Sequence, residues 1–522
     1  MLAGCLLVLG CIILYPVLRL AFEALLHWEW AAISEGRGLR ATVNTLVISF
    51  ASVLTSGLFG TALAAAVFAY RFPGRNILAG LAYLPFTLPP LVGTLSFYYL
   101  IGRDGLFPRL AAHVMHSDGW LVPGPWAILL IHTYSFYVFF YAMVGPALEN
   151  LDRSQMEAAR TLGAKRGRVL FRVVLPLLMP ALLGASLLTF MSSAASFSAP
   201  YFFGQDYPML SVEIYNARSQ HEAGTAVTLT VVLAAVSLCG LLLFRGRRHA
   251  LAGGTKGTPA PVRSVAGKLL AGACAWSVIL LLLIPHLNIV WLALIDYRAW
   301  NDEIFPTTFT LANFTALFSS PRDFKPMVNS FWMSLLATGL TTLIGLPAAY
   351  LIARRRPGGR LLNLVVMIPW ALPGTVIAMN LILAFNSAWA PLYNTIWLLP
   401  LAYVVRNVPL LTRMAGAAIA PFDATLIEGA RTLGASRAYA LRRIVFPLLA
   451  PAVVGAMALV FATCLGEFVA SVLLYTPANV PISVQINMVL RGSVGVAFAY
   501  SVLLMLLVAA TFLFTRRFMT LR

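Results

Sequence analysis

The chain has 522 residues, of which 60% are hydrophobic and 11% charged, with a mean hydropathy of +0.84. An ordinary soluble domain carries roughly 25% charged residues, so this composition excludes a soluble globular enzyme. The formal net charge of +19 would suit a nucleic-acid partner in a soluble protein, but in a membrane chain it has to be read loop by loop.

Apolar stretches of about 20 residues recur along the whole length, each long enough to cross a hydrocarbon core of about 30 Å. That recurrence excludes a signal peptide ahead of a soluble domain. Because backbone groups in lipid must satisfy one another, runs of this length are predicted to be helices. The first run, residues 2 to 26, has no basic residue ahead of it, so later loops must set its direction. A polar stretch with Glu35, Arg37 and Arg40 leads into a span over 42–70 and the basic turn Arg71-Phe72-Pro73-Gly74-Arg75, which marks the cytoplasmic side. The third span, 77–101, contains Pro85, Pro89 and Pro90, whose missing donors predict a kink or interruption. Such a break lines a pathway in some membrane proteins and is relieved by packing in others, and both readings stay open. A fourth span ends near Val144. The polar segment that follows carries Arg153, Arg160, Lys165, Arg166, Arg168 and Arg172, a strong cytoplasmic signal. A fifth span covers 173–196 and a sixth 225–245. Residues 246–268, basic and rich in Gly, Pro and Ala, read as a flexible cytoplasmic linker.

The second half repeats the order, with spans over 269–295, 329–353, 361–385, 393–415, 444–466 and 498–515. Glu157 pairs with Glu428 at a shift of 271 (428 − 157), and between 157–180 and 428–451 the two copies share 15 of 24 residues without a gap. Upstream, Asn44 pairs with Asn329 and Gly60 with Gly345 at a shift of 285, while Pro85 and Pro89 pair with Pro369 and Pro373 at 284. The chain is therefore a tandem duplication, expected as a first domain over 1–245 and a second over 269–522. The fold class is all-α: about 12 transmembrane helices in two parallel six-helix repeats. Six spans per repeat place both polar segments, and both termini, in the cytoplasm. Most of the 37 Lys and Arg residues then face that side, so the charge reports orientation and not a nucleic-acid partner. A pseudo-two-fold axis along the membrane normal is expected between the halves, with a pathway on it.

Catalytic and metal chemistry finds no carrier. Cys5, Cys11, Cys239, Cys274 and Cys464 lie in apolar runs without ligand spacing and read as small buried hydrophobes. The nearest approach to a phosphate-binding loop, Gly267-Lys268, continues into Leu269-Leu270, so ATP chemistry must belong to a partner. Ionisable groups inside spans are few, which disfavours the alternative of a secondary transporter with parallel repeats. Arg19 and Glu23 are spaced to pair, His132 and His286 read as packed neutral residues, and Arg406 either snorkels or faces the bundle interior. Glu467 stands where the first half has Ser196; it either lines the outer mouth of the pathway or satisfies a helix end. Asn380 and Asn386 are further pathway candidates.

Each polar segment has the composition of a short helix, a glycine turn and a second basic helix. Glu157-Ala158-Ala159, three residues, Gly163, nine residues, a β-branched residue, one residue and Leu175-Pro176 is similar to the signature loop of ABC-importer permeases. The second copy, Glu428-Gly429-Ala430 with Gly434 and Phe446-Pro447, departs from it at Gly429 and Phe446. Each half also resembles a six-span permease domain. The resemblance implies a bacterial inner-membrane permease that binds two cytoplasmic ATPase subunits through these loops. Substrate would come from a periplasmic or surface binding protein. ATP and Mg would sit on the ATPase, with no cofactor and no metal in this chain. Fused double permeases of this size resemble iron(III) and thiamine importers, with polyamine and phosphonate systems nearby. The run Gly466-Glu467-Phe468-Val469-Ala470-Ser471 looks most like the iron(III) group.

Overall fold

The computed structural model describes residues 1–115, 122–151, 153–244, 260–261, 264–298, 300, 303–388, 390–423 and 425–519. Among these residues nine helices are long and apolar enough to cross a membrane. In the first half they are Leu2–Leu26, Gly36–Ala69, Gly124–Glu149, Arg166–Ala194 and Ala223–Leu243. In the second they are Val265–Leu294, Pro321–Ala353, Ala438–Leu465 and Val494–Thr515. Two bent pairs raise the count to eleven. The expected twelfth, helix Leu398–Ile419, forms in the place of the fourth span of its half but carries Arg406, Asn407 and Arg413 and falls outside the apolar set. The linker expected at 246–268 lies outside the described residues up to 259 and at 262–263. Ala260–Pro261 pair in parallel with Tyr70–Arg71, and helix Val265–Leu294 starts two residues after 263.

The prolines of the third span produce breaks, not gentle kinks. Segments Arg75–Thr87 and Pro90–Met115 meet at 102°, and Gly359–Ala371 and Gly374–Phe385 at 112°. Leu88 and Leu372, each ahead of a proline, are extended because the proline ring excludes the helical region for the residue before it.

The duplication is visible bond by bond. Asn44 donates to Pro208 O at 2.9 Å and Asn329 to Val480 O at 3.0 Å. Thr45 Oγ1 accepts from Leu210 N at 3.0 Å and Ser330 Oγ from Ile482 N at 2.8 Å. Each half lends its first helix to the other. Tyr15 donates to Ala384 O at 3.2 Å, while Asn288 donates to Ser96 O at 3.0 Å and Tyr134 to Leu282 O at 2.9 Å. The two halves are also clasped by Arg218 donating to Tyr393 Oη at 2.8 Å and by Arg109 lying 4.7 Å over the Trp300 ring.

Two expectations about side chains change. Cys5 and Cys464 are buried, but Cys11, Cys239 and Cys274 are exposed on span surfaces, where the surroundings are hydrocarbon and a small apolar thiol is equally suited. Asn386 is exposed and belongs to a short antiparallel pairing of Asn386–Ser387 with Ala390–Pro391. Arg19 and Glu23 do pair, at 2.5 Å. His132 is buried, with Nδ1 at 3.0 Å from both Ser52 Oγ and Ser193 Oγ. His286 Nε2 lies 3.2 Å from Thr87 Oγ1.

Candidate functional site

The signature segment folds as helix Arg153–Thr161, a glycine turn, a helical turn Arg166–Val169 and the continuous span beyond. Gly163 has φ +80° and Gly434 φ +87°, the left-handed region where a Cβ is costly. In the first copy Gly163 N donates to Arg160 O at 2.9 Å and Ala164 N to Ala159 O at 3.0 Å. In the second, Gly434 N donates to Arg431 O and Ala435 N to Ala430 O, each at 3.0 Å. This paired closure of a helix C-terminus locks the turn. Five residues of π-helix follow in each copy, Leu170–Val174 and Leu441–Val445, immediately before Leu175-Pro176 and Phe446-Pro447. A π-bulge next to a proline absorbs the carbonyl that the ring leaves without a donor, and such bulges concentrate at functional sites.

Glu157, Ala158 and Gly163 are exposed, as are Glu428, Gly429 and Gly434, while Ala159 and Ala430 are half-buried. Pro176 and Pro447 are also exposed. No ion pair of Glu157 or Glu428 occurs among the described residues. Glu157 lies beyond the first turn of its helix, so the helix dipole is a weak reason for it. The loop tips carry Leu162 and Leu433, 88% and 90% exposed, which the sequence analysis does not single out. Their signal was the shared 271-residue spacing. In the second copy Asp423 accepts from Thr425 N at 2.9 Å ahead of helix Thr425–Thr432, and that bond holds its carboxyl below the usual carboxylate range.

The second site lies at the ends of the spans away from the two loops. Ser196 and Glu467 each lie two residues beyond the ends of spans Arg166–Ala194 and Ala438–Leu465, and the next residues, Phe197 and Phe468, meet edge-on with ring centroids 5.8 Å apart. A hydroxyl donates to the carbonyl before each ring: Ser211 to Ser196 O at 2.5 Å and Ser483 to Glu467 O at 2.7 Å. Ser196 and Glu467 thus occupy equivalent turns flanking the axis. Glu467 satisfies a helix end, one of the two roles expected of it, and also pairs with Arg406. Its Oε1 accepts from Ala470 N at 2.8 Å, closing the turn, and its Oε2 takes Arg406 Nε at 3.2 Å. Glu467 is buried at 7% exposure, whereas the Arg406 side chain keeps 37%. Gly374 makes room for the guanidinium, since a Cβ there would collide with Arg406 Nη1. Asn380, on the same broken span, instead faces a small cleft beneath the first helix, lined by Ile12, Ile13, Pro16 and Val17. Its Oδ1 is buried without a partner among the described residues.

The two exposed loops stand on one side of a duplicated, twice-broken helical bundle. Residues 42–247 and 341–519 match the family described as the binding-protein-dependent transport system inner membrane component, and the chain belongs to that family. It is a multi-pass inner-membrane permease of the ABC importer type. A probable ABC transporter permease protein, y4fN, of Sinorhizobium fredii is 29% identical over 471 residues, 87% of this chain and 82% of the relative. The ferric transport system permease protein FbpB of Actinobacillus pleuropneumoniae is 29% identical over 500 residues, 92% of this chain and 71% of its own. The sulfate transport system permease protein CysT of Escherichia coli is 31% identical over 242 residues, covering 45% of this chain and 85% of the relative.

Proposed function

We propose that this permease carries iron(III) across the cytoplasmic membrane, with two fused domains, 1–245 and 269–522, forming the complete membrane unit. The observation that carries the coupling part is the pair of matched loops, each ending in a bare leucine beside a glycine-locked turn. Two such knobs suit two cytoplasmic ATPase subunits, on which ATP and Mg bind and hydrolysis occurs. A binding protein delivers substrate at the outer face, both termini lie in the cytoplasm, and Glu467 and Ser196 flank the pathway. Asn380 adjusts the packing of the broken span beside it. Nucleotide binding draws the two loops together and opens the outer side; hydrolysis resets it.

Iron is supported by a ferric transport relative that aligns over 92% of this chain. Sulfate is the second reading, supported by the relative aligned to one half and by the arginine beside the axis. Thiamine, polyamine and phosphonate fit the same architecture. Two tests separate the parts of the proposal. Tagged permease at native expression should co-purify with an ATPase subunit, and its consistent absence would remove the coupling reading. Cells expressing the full system should accumulate radiolabelled iron and not radiolabelled sulfate; the reverse would replace the substrate.

A further inference from the structure

Helix Gly374–Phe385 begins inside the protein at the 112° break, with Gly374, Thr375 and Val376 all buried. The first backbone N–H groups of a helix have no partner within it, and none of these three finds an acceptor elsewhere among the described residues. Two further donors join them. Thr375 Oγ1 is fully buried and unpartnered, and Arg406 Nη1 is buried, unpartnered and packed against Gly374. A guanidinium beside the positive end of a helix is unfavourable unless a negative charge is shared between them. Glu467 supplies one charge, but both its oxygens are engaged, Oε1 by Ala470 N and Oε2 by Arg406 Nε. What remains at the break is a set of N–H donors and one hydroxyl without partners among the described residues.

The first repeat serves as an internal control. At the equivalent positions it has Pro90 for Gly374, Leu91 for Thr375, Ser135 for Arg406 and Ser196 for Glu467. Yet its turn is held by the same bond, Ser211 onto Ser196 O. The fold therefore does not require the charged pair. An ionic pair at membrane depth is costly, and one retained in a single repeat points to a ligand.

We propose that the N-terminus of helix Gly374–Phe385, Thr375 Oγ1 and Arg406 Nη1 form an oxyanion-binding site beside the translocation axis, with Glu467 orienting Arg406. Backbone N–H groups at a helix start and a guanidinium are the donors that recognise sulfate, phosphate or carboxylate oxygens. The site rests on the permease reading and goes beyond the choice of substrate. The oxyanion is either free or held as a ligand of ferric iron.

The experiment is a thermal-unfolding titration of the purified full chain in detergent with sodium sulfate, sodium phosphate and ferric citrate, each against sodium chloride at matched ionic strength. The comparison variant is R406S/E467S, which installs the first repeat's residues. A saturable upward shift with sulfate or phosphate, lost in the double variant, supports a free oxyanion. A shift with ferric citrate alone, again lost, supports an iron-bound oxyanion. No shift beyond chloride in the wild type, or an undiminished shift in the double variant, overturns the site. Should the double variant fail to fold, Thr375→Val gives the same decision: it should weaken apparent affinity about ten-fold, as loss of one hydrogen bond to a charged group does, and unchanged affinity overturns the site. Failure here leaves ATPase co-purification, and with it the importer reading, untouched.

Discussion

Phe197 and Phe468 are the same residue of the two repeats, 271 positions apart, and their rings touch, 5.8 Å between centroids. A residue that contacts its own repeat-mate must lie on the pseudo-two-fold axis that relates the halves. Both rings are about 1% exposed, so at this level the axis is plugged by apolar side chains. The ring pair stands at the ends of the spans away from the two loops, between the turns closed by Ser211 and Ser483.

Truncation of either ring should therefore have the same two effects. Phe197→Ala and Phe468→Ala are each expected to cost about 3–5 kcal/mol as large-to-small changes in a packed core. Each should also raise ATP hydrolysis in the absence of binding protein, by loosening the closed outer side. Thermal unfolding in detergent and basal ATPase of the reconstituted complex check the pair; a large effect from one ring and none from the other would contradict the symmetry.

The ion pair should be sensitive to removal of one partner and tolerant of removal of both. Arg406→Ser alone leaves the carboxylate of a buried Glu467 uncompensated and is expected to cost about 3 kcal/mol, the low end for broken buried pairs, because Arg406 is partly exposed. R406S/E467S should recover most of that loss. A double-mutant cycle read by thermal unfolding measures the coupling, and additive single effects would show that the pair is not energetically linked.

At the loop tips, L162S/L433S should leave stability within about 0.5 kcal/mol of wild type, since exposed side chains make few contacts. Capture of the ATPase should fall steeply, by about 2 kcal/mol or roughly 30-fold per anchor, if the leucines are interface anchors. Gly163→Pro with Gly434→Pro should abolish uptake while the protein still inserts, because Pro cannot hold the positive φ of the turn. Pull-down and uptake measurements read both variants.

Asp423 sets a pH expectation whose sign follows from its depressed pKa. A carboxyl held below its ordinary range contributes its capping bond fully above about pH 4, the unfolded value, and loses it as pH falls through the lower folded value. Between pH 6 and 8 the cap of helix Thr425–Thr432 is constant. The ratio of ATPase stimulation by Asp423→Ala to that by wild type should be flat across that window, and a ratio that changes with pH would contradict this role.

Much of this was legible beforehand because it depends on local chemistry. The breaks at Pro89 and Pro373 follow from missing N–H groups and from the restriction that proline places on its predecessor. The locked turns at Gly163 and Gly434 follow from residues that accept positive φ. The angle of the breaks, above 100°, was not legible, since a proline specifies loss of a bond and not where the chain goes next. Nor was the seat of Asn380, which is set by a first helix arriving from the other half.

By itself the sequence determined the membrane class, the duplication and the two repeated glycine-turn loops, because composition and repeat spacing are properties of the covalent chain. Only the tertiary structure decided that Phe197 meets Phe468, that Arg406 turns inward to Glu467 beside Gly374, and that the first helices are exchanged. The reason is physical. A span apolar all round its circumference has no stripe to announce which face meets lipid and which meets another helix, so the partners are chosen by shape and by a few polar groups once the helices pack.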